Sequence, residues 1–369
     1  MKFVCSKSNL LTGVQTVAKA VPSKTTMSIL ECILIEADNG NIILTANDME
    51  LGIETIIKGD VLVSGKIALD AKIFLEIVRK LPDNDITIET DDNNKTTITC
   101  EKAKFNIIGK SGDDFSCLPV VEKRDPLVIS QYTLKESIRQ TIFSISDNEN
   151  NKLMTGELFE INNDELKVVS LDGHRISIRK IRLKNSYPFK KVVVPGKTLN
   201  EISKILSGDM DKDVLIYFSD KHIIFEFDNT TVVSRLIEGE YFKIDQMLSN
   251  DYETKVRINK KELLSCIDRA TLLVKEGDKK PIIINITDAG MELKINTAVG
   301  SMNEEIDITN QGKDLMIGFN PKFLIDALKV IEDEEIDIYL VNPKAPCFIR
   351  DEEGKYVYLI LPVNFTTVS

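Results

Sequence analysis

The segment Ser170-Leu171-Asp172-Gly173-His174-Arg175-Ile176 gathers the residue types that could do chemistry. It sets one of the chain's two histidines (the other is His222) between a carboxylate and a guanidinium. Such residue types are where chemistry would be sought first. A plainer role fits the same residues. Asp-Gly is a hairpin turn between strand-like Lys167–Leu171 and Ile176–Ile181. On that pattern His174 and Arg175 are exposed beside a turn, where binding residues often sit. No phosphate loop, Gly-x-Gly-x-x-Gly, His-Glu-x-x-His or Gly-x-Ser-x-Gly occurs. The run Glu332-Asp333-Glu334-Glu335 reads as solvated and lacks the order of a calcium loop. Six scattered cysteines contain no Cys-x-x-Cys pair. Buried, reduced thiols of a cytosolic protein are expected rather than a metal site or disulfides. No catalytic residue and no cofactor is assigned, although a metal site assembled from distant carboxylates stays open.

A second set is defined by spacing alone. Lys72, Lys197 and Lys322 lie 125 residues apart, and seven residues after each comes Arg79, Lys204 or Lys329. Positions i and i+7 share one helix face. In the first copy Ile73, Phe74, Ile77, Val78 and Leu81 centre on the opposite face. A lysine in the first helical turn opposes the helix dipole, so its threefold use points to phosphate. Glu76, Glu201 and Asp326 share these faces, and an ordinary solvated surface is the alternative. The net charge of −11 argues against a nucleic-acid partner unless the basic residues are segregated on one surface.

The elements that hold these residues repeat. Amphipathic helices are expected from Ser8–Val21, from Thr133 with a Thr133-x-x-Glu136 capping box, and from Asn259 with Glu262. Helices that carry the repeated lysines lie about half a period later; the third opens with Pro321 after Asn320, a favoured start. Between them, hairpin patterns turn at Asp38-Asn39-Gly40, Asn162-Asn163-Asp164 and Asp288-Ala289-Gly290. The chain is therefore α+β, with three domains at 1–121, 126–249 and 253–369, each with two helices and external strands. The period is too long for a solenoid. Two chains head to tail would close a six-domain ring. With no Trp and only 6% aromatic residues, the cores are expected to be aliphatic. No apolar run is long enough to span a bilayer, and no signal peptide is seen at Met1-Lys2-Phe3-Val4.

Full-length resemblance accompanies this repeat. Met1–Phe3, Lys19–Thr26, Ile73–Pro82, Thr155–Glu160, Asp172–Arg175, Ile317–Pro321 and Tyr358–Val363 resemble, in order and spacing, the bacterial DNA polymerase III beta subunit family, the sliding clamps. The resemblance implies the DNA-clamp fold, with helices facing inward and sheets outside in a head-to-tail dimeric ring. It implies encircled double-stranded DNA, bound without sequence preference. Replicative DNA polymerase, the clamp loader and other replication and repair proteins are the implied partners. Such a clamp is cytoplasmic and does no chemistry; a polymerase label attaches to it only through the holoenzyme.

Residue by residue, the resemblance places Lys24, Lys72, Arg79, Lys152, Lys197, Lys204, Lys322 and Lys329 toward DNA. It implies one pocket for partner peptides. The central domain would supply Met154, Leu171, Gly173, His174, Arg175 and Ile176. The C-terminal domain would supply Asn320, Phe323, Pro346 and the run Leu359, Ile360, Leu361, Pro362 and Val363. Leu359–Val363 also reads as a core strand with alternating faces. Phe105 and Ile107 of one chain would meet Leu272 and Leu273 of another at the dimer seam. Three departures from the family pattern are present, and the first and last bear on the pocket. Tyr241-Phe242-Lys243-Ile244 stands where the family often has Phe-Pro-Asp-Tyr, Ser28 replaces a frequent proline, and the tail Asn364–Ser369 lacks a frequent arginine. Two rivals remain at this level, a scaffold of the same fold with no DNA role and a metal-dependent nucleotidyltransferase or nuclease.

Overall fold

The computed structural model describes residues 1–274 and 280–365. Six α-helices are seen among them: α1 Lys7–Val17, α2 Ala71–Lys80, α3 Gln131–Arg139, α4 Gly196–Ile205, α5 Lys260–Thr271 and α6 Pro321–Val330. The second member of each pair keeps the repeat exactly in register, since α2, α4 and α6 each run ten residues from starts 125 apart.

Local chemistry sets the helix starts. Ser6 caps α1 by accepting from Asn9 N (3.3 Å), and Ser130 caps α3 by accepting from Thr133 N (3.1 Å). Both helices thus start before the predicted Ser8 and Thr133: Thr133 lies inside α3, and the cap is the serine three residues earlier. Asn259 caps α5 as expected, accepting from Lys261 N (3.0 Å) and Glu262 N (3.2 Å). Asp70 and Asn320 cap α2 and α6. Loss of one such cap costs about 1 kcal/mol. Helix α1 ends at Val17, and a 3-10 turn, Ala18–Ala20, carries the chain onward.

Among the described residues the strands form four sheets. One has five strands in the order Asp60–Val63, Lys2–Ser6, Asp85–Thr90, Lys95–Cys100, Ala103–Ile108. A nine-stranded sheet runs Lys110–Ser111, Gly65–Asp70, Cys32–Asp38, Asn41–Asn47, Leu51–Ile57, Thr230–Arg235, His222–Phe227, Asp213–Phe218, Leu127–Ser130. A seven-stranded sheet runs Gly156–Leu171, Arg175–Pro195, Tyr356–Ile360, Cys347–Arg350, Glu335–Leu340, Thr254–Asn259, Thr309–Gly312. The fourth has Gly300–Ile306, Gly290–Thr297, Ile282–Thr287 and Leu315–Phe319. The first and third predicted hairpins are present, with Asn39 and Gly40 at the positive φ that such a turn needs. At the second, Asn163 has φ +53° and pairing breaks on both sides of it, but no strand boundary falls there.

Although the sequence has three periods, packing gathers it into two compact units. One holds Met1–Lys135 with Asn200–Leu236; the other holds Glu136–Leu199 with the residues from Ile237 on. Sheet continuity explains this. Ladder pairing of Thr230–Ser234 with Leu51–Thr55 knits strands of two periods into the nine-stranded sheet of the first unit. Pairing of Arg175–Arg179 with Tyr356–Ile360 does the same in the second. In the first unit α1 packs on α2, and in the second α5 packs on α6. The C-terminal core is aliphatic, built from residues such as Val256, Leu263, Ile267, Ile284, Leu293, Ile317, Leu324 and Leu328. Five of the six cysteines are buried and Cys117 is exposed.

One core residue breaks the aliphatic rule. Glu157 is fully buried, and neither carboxylate oxygen has a hydrogen-bond partner. The nearby Thr141 hydroxyl donates instead to Ser137 O (2.7 Å). Burial penalises the charged form, and the Glu157 carboxyl is pushed up from 4.5 to about 8. The native state therefore holds a proton that the unfolded chain releases near 4.5. By linkage this contribution to stability is whole below that pH and is lost as pH rises through about 8. Thermal melts of wild type and Glu157→Gln across this range check it. The wild type should lose stability relative to the variant as pH rises; parallel curves would contradict a buried, protonated Glu157.

Candidate functional site

Arg175 is the centre of the site, in a place that its sequence context hides. The hairpin is as expected: Glu165–Leu171 pairs with Ile176–Arg182, and Gly173 takes φ +88° in the loop. Asp172 Oδ1 accepts from His174 N (2.9 Å) and Arg175 N (3.1 Å), which fixes the loop's shape. His174 stays exposed. Arg175 does not: it is only 6% exposed, contrary to the expectation of a solvent-facing rim residue. Its guanidinium donates to Asp172 Oδ2 (3.0 Å), to Asp326 Oδ2 on α6 (2.7 Å) and to the Phe143 carbonyl. It lies 4.5 Å from the Phe323 ring centre and 5.4 Å from that of Phe143. Two carboxylates, a carbonyl and two ring faces satisfy a planar fork that lysine could not replace.

Around this strut the predicted pocket residues sort by depth. Leu171, Ile176 and Leu359 are buried in one apolar cluster with Leu158, Val169 and Ile178. Met154, Phe242, Leu153 and Leu248 pack against it while partly exposed. Ile360 belongs elsewhere: alternation along the strand sends it, with Tyr358, into the C-terminal core. After the strand, Leu361 N donates to His174 O (2.8 Å) and Val363 N to Gly318 O (2.8 Å). A Cβ at Gly318 would strike the Phe365 ring and the Val363 carbonyl, so glycine is needed for the tail to lie there. Leu361, Gly173 and His174 are exposed, whereas Pro346, Pro362 and Val363 are half-buried. The His174 ring stacks on Phe323 at 6.1 Å and 22°. Asn320 acts first as the cap of α6, accepting from Lys322 N (3.0 Å). The surface thus offers Met154 and Phe242 against the buried cluster, and Leu361 beside the His174 loop. On another flank of the cluster a cleft of about 590 Å³ is lined by Ile178, Leu248, Tyr339, Phe348, Val357 and Arg350, among others, none of them foreseen. Tail residues 366–369 lie outside the described residues.

The basic set behaves as its spacing implied. Lys72 and Arg79, Lys197 and Lys204, Lys322 and Lys329 are all exposed, while Phe74, Ile77, Val78, Leu199, Ile202, Leu324 and Leu328 are buried. Ile73 departs from the predicted core face and is 53% exposed. Lys24 is exposed in the loop after the Ala18–Ala20 turn, and Lys152 opens the 3-10 turn Lys152–Thr155, also exposed.

Of the residues expected at a seam between chains, Phe105 is exposed and Ile107 half-buried on the edge strand Ala103–Ile108. Leu272 is 82% exposed. Leu273 is not its exposed twin, because it packs against the C-terminal core. Ile108, 85% exposed on the same edge strand as Phe105, was not anticipated; its neighbour Ile107 had been placed at the seam by resemblance alone.

Phe143 and Asp326 were also missed as partners of Arg175. The period placed Asp326 in register with Glu76 and Glu201, but long-range pairing leaves no local signal. Among the described residues no group of three His, Cys, Asp or Glu side chains is placed to hold a metal ion. No described helix is long and apolar enough to cross a membrane.

Comparison with known proteins agrees along the whole length. Residues 1–119 match the N-terminal, 128–243 the central and 245–364 the C-terminal domain of the DNA polymerase III beta subunit. A beta sliding clamp of Staphylococcus aureus is 33% identical over 375 residues, covering 99% of each chain. The DNA polymerase sliding clamp of Bacillus subtilis superposes with TM-score 0.95 at 34% identity, over 99% of this chain and 100% of that one. A Eubacterium rectale chain described as a putative DNA polymerase III beta subunit gives 0.96 at 73% identity over the same shares.

Removing the Arg175 fork leaves two poorly hydrated carboxylates unpaired. Breaking a buried pair from one side costs about 3 kcal/mol. Arg175→Met should therefore lower the urea midpoint by a corresponding amount, and Arg175→Lys should recover only part of it. A midpoint within error of wild type for Arg175→Met would contradict the strut.

Proposed function

Because this chain belongs to the DNA polymerase III beta subunit family, the beta sliding clamps, we propose that two copies close head to tail around duplex DNA and tether the replicative polymerase to it. The protein is a processivity subunit and not a catalyst. A topological tether raises the polymerase's effective concentration at the primer end without tight DNA affinity. Sequence-independent, salt-sensitive contacts suit a ring that must slide.

The observation that carries ring closure is a pattern in the sheets. The strand beginning at Leu51 pairs with the one beginning at Thr230, and the strand beginning at Arg175 pairs with Tyr356–Ile360. One period on, the next member of the first series is Gly300–Ile306; one period back, the missing member of the second is Ala103–Ile108. Each is an edge of its sheet. Unpaired edges invite pairing with another chain, and these two are the pair that the repeat calls for. Their charges suit each other: Lys102 and Lys104 lie on or beside one edge and Glu305 is exposed on the other, next to Glu304, which Arg269 already pairs. Phe105, Ile108 and Leu272 supply the apolar part of the seam, with Ile107 and Leu273 behind them.

In this ring, with domains at 1–121, 126–249 and 253–369, the exposed lysines and arginine of α2, α4 and α6 face the phosphates, joined by Lys24 and Lys152. The Met154, Phe242, Leu361 and His174 surface takes apolar side chains of short peptides from the polymerase, the clamp loader and other replication and repair proteins. The work is done in the cytoplasm, where the chromosome is copied.

Leu272→Arg buries a charge against the edge strand of the partner. Sedimentation should show monomers. Primer extension with the cognate polymerase, loader and ATP should fall to the product length seen without clamp. Dimers that still support long products would overturn this closure.

A further inference from the structure

The three repeated helices each carry an acid at the same position, but only two of them spend it on their own basic face. Glu76, Glu201 and Asp326 occupy one position of the repeat, four residues after the first lysine and three before the second basic residue. On α2 Glu76 pairs with Arg79. On α4 Glu201 pairs with Lys204 at 2.8 Å and also lies 4.0 Å from Lys19. On α6 Asp326 turns the other way and takes Arg175 Nη1 at 2.7 Å. Lys329, the counterpart of Arg79 and Lys204, is exposed and has no ion pair among the described residues.

We infer that Arg175 is a positioning residue for DNA contact: by holding Asp326 it keeps Lys329 free as the one unneutralised basic residue among the three repeated positions. The inference rests on α6 facing DNA, as proposed above. Its physical basis is competition for one carboxylate. An exposed i,i+3 pair is worth only a few tenths of a kcal/mol, so it loses to a buried guanidinium with better geometry. The same residue that shapes the partner-peptide hairpin thereby sets the charge on a helix face toward DNA.

Three single substitutions, each adding one unit of charge, separate this from a general field effect. The readout is the salt dependence of duplex binding by the dimer, followed by fluorescence anisotropy. Glu76→Gln and Glu201→Gln release a paired cation, and each should steepen the log–log salt slope by up to about 0.9, the value of one phosphate contact. Asp326→Asn should leave the slope unchanged, because Lys329 is already free. An equal steepening in all three would overturn the inference. Lys329→Met should flatten the slope by a similar amount. If it does not, while Lys72→Met and Lys197→Met do, the assignment of α6 to DNA fails and takes the inference with it. The glutamate and lysine variants are surface changes, whereas Asp326→Asn takes one carboxylate from the buried Arg175 fork; a melting curve with gel filtration confirms that each variant is a folded dimer.

Discussion

Backbone donors and acceptors on a strand edge must be satisfied somewhere, by water, by chain or by a partner. This requirement organises the molecule. Inside the chain, two five-residue antiparallel ladders run straight across the repeat boundaries. One is reinforced on its side-chain face by the contact between Thr55 and Thr230 hydroxyls, 2.9 Å apart. Each backbone bond contributes only about 1 kcal/mol net, but a ladder also fixes register, and register fixes which side chains meet. That is why Leu359 enters the pocket cluster while Ile360, one residue on, enters the C-terminal core. The same requirement leaves Ala103–Ile108 and Gly300–Ile306 as edges, the two proposed above to pair between copies.

Electrostatics is laid over this frame with little redundancy. The net charge of −11 is compatible with DNA because the basic residues of α2, α4 and α6 share one exposed stripe per helix, opposite the buried apolar face. Sliding asks for many weak contacts rather than a few strong ones, and exposed lysines at helix starts, slightly disfavoured by the dipole, are suited to provide them in the proposed ring. Arg175 is the exception, a fully committed cation that joins the pocket hairpin, α6 and two aromatic rings.

Much of this was legible in the residues. The period of 125, the basic stripe and the Asp-Gly hairpin all follow from local patterns, because helix faces and turn chemistry are decided within a few residues. The family resemblance added the ring and the pocket as expectations. What failed was nonlocal or depended on one residue of register. Ser130 rather than Thr133 caps α3, since both can accept and only the start of the preceding strand decides. Ile73 is apolar but exposed on α2, and Leu273 lies in the turn after α5, where burial depends on what packs above. Arg175 looked exposed because a polar residue at a turn usually is; its partners Phe143 and Asp326 are 32 and 151 residues away in the chain.

The central claim is that the chain works as a closed ring, held by topology and not by affinity. It is tested most directly by loading the labelled protein onto nicked circular DNA with its cognate loader and ATP, raising the salt, and then cutting half of the circles. Retention on intact circles with rapid loss from the cut ones is the predicted result. Equal loss from both would mean ordinary electrostatic binding and would contradict the account.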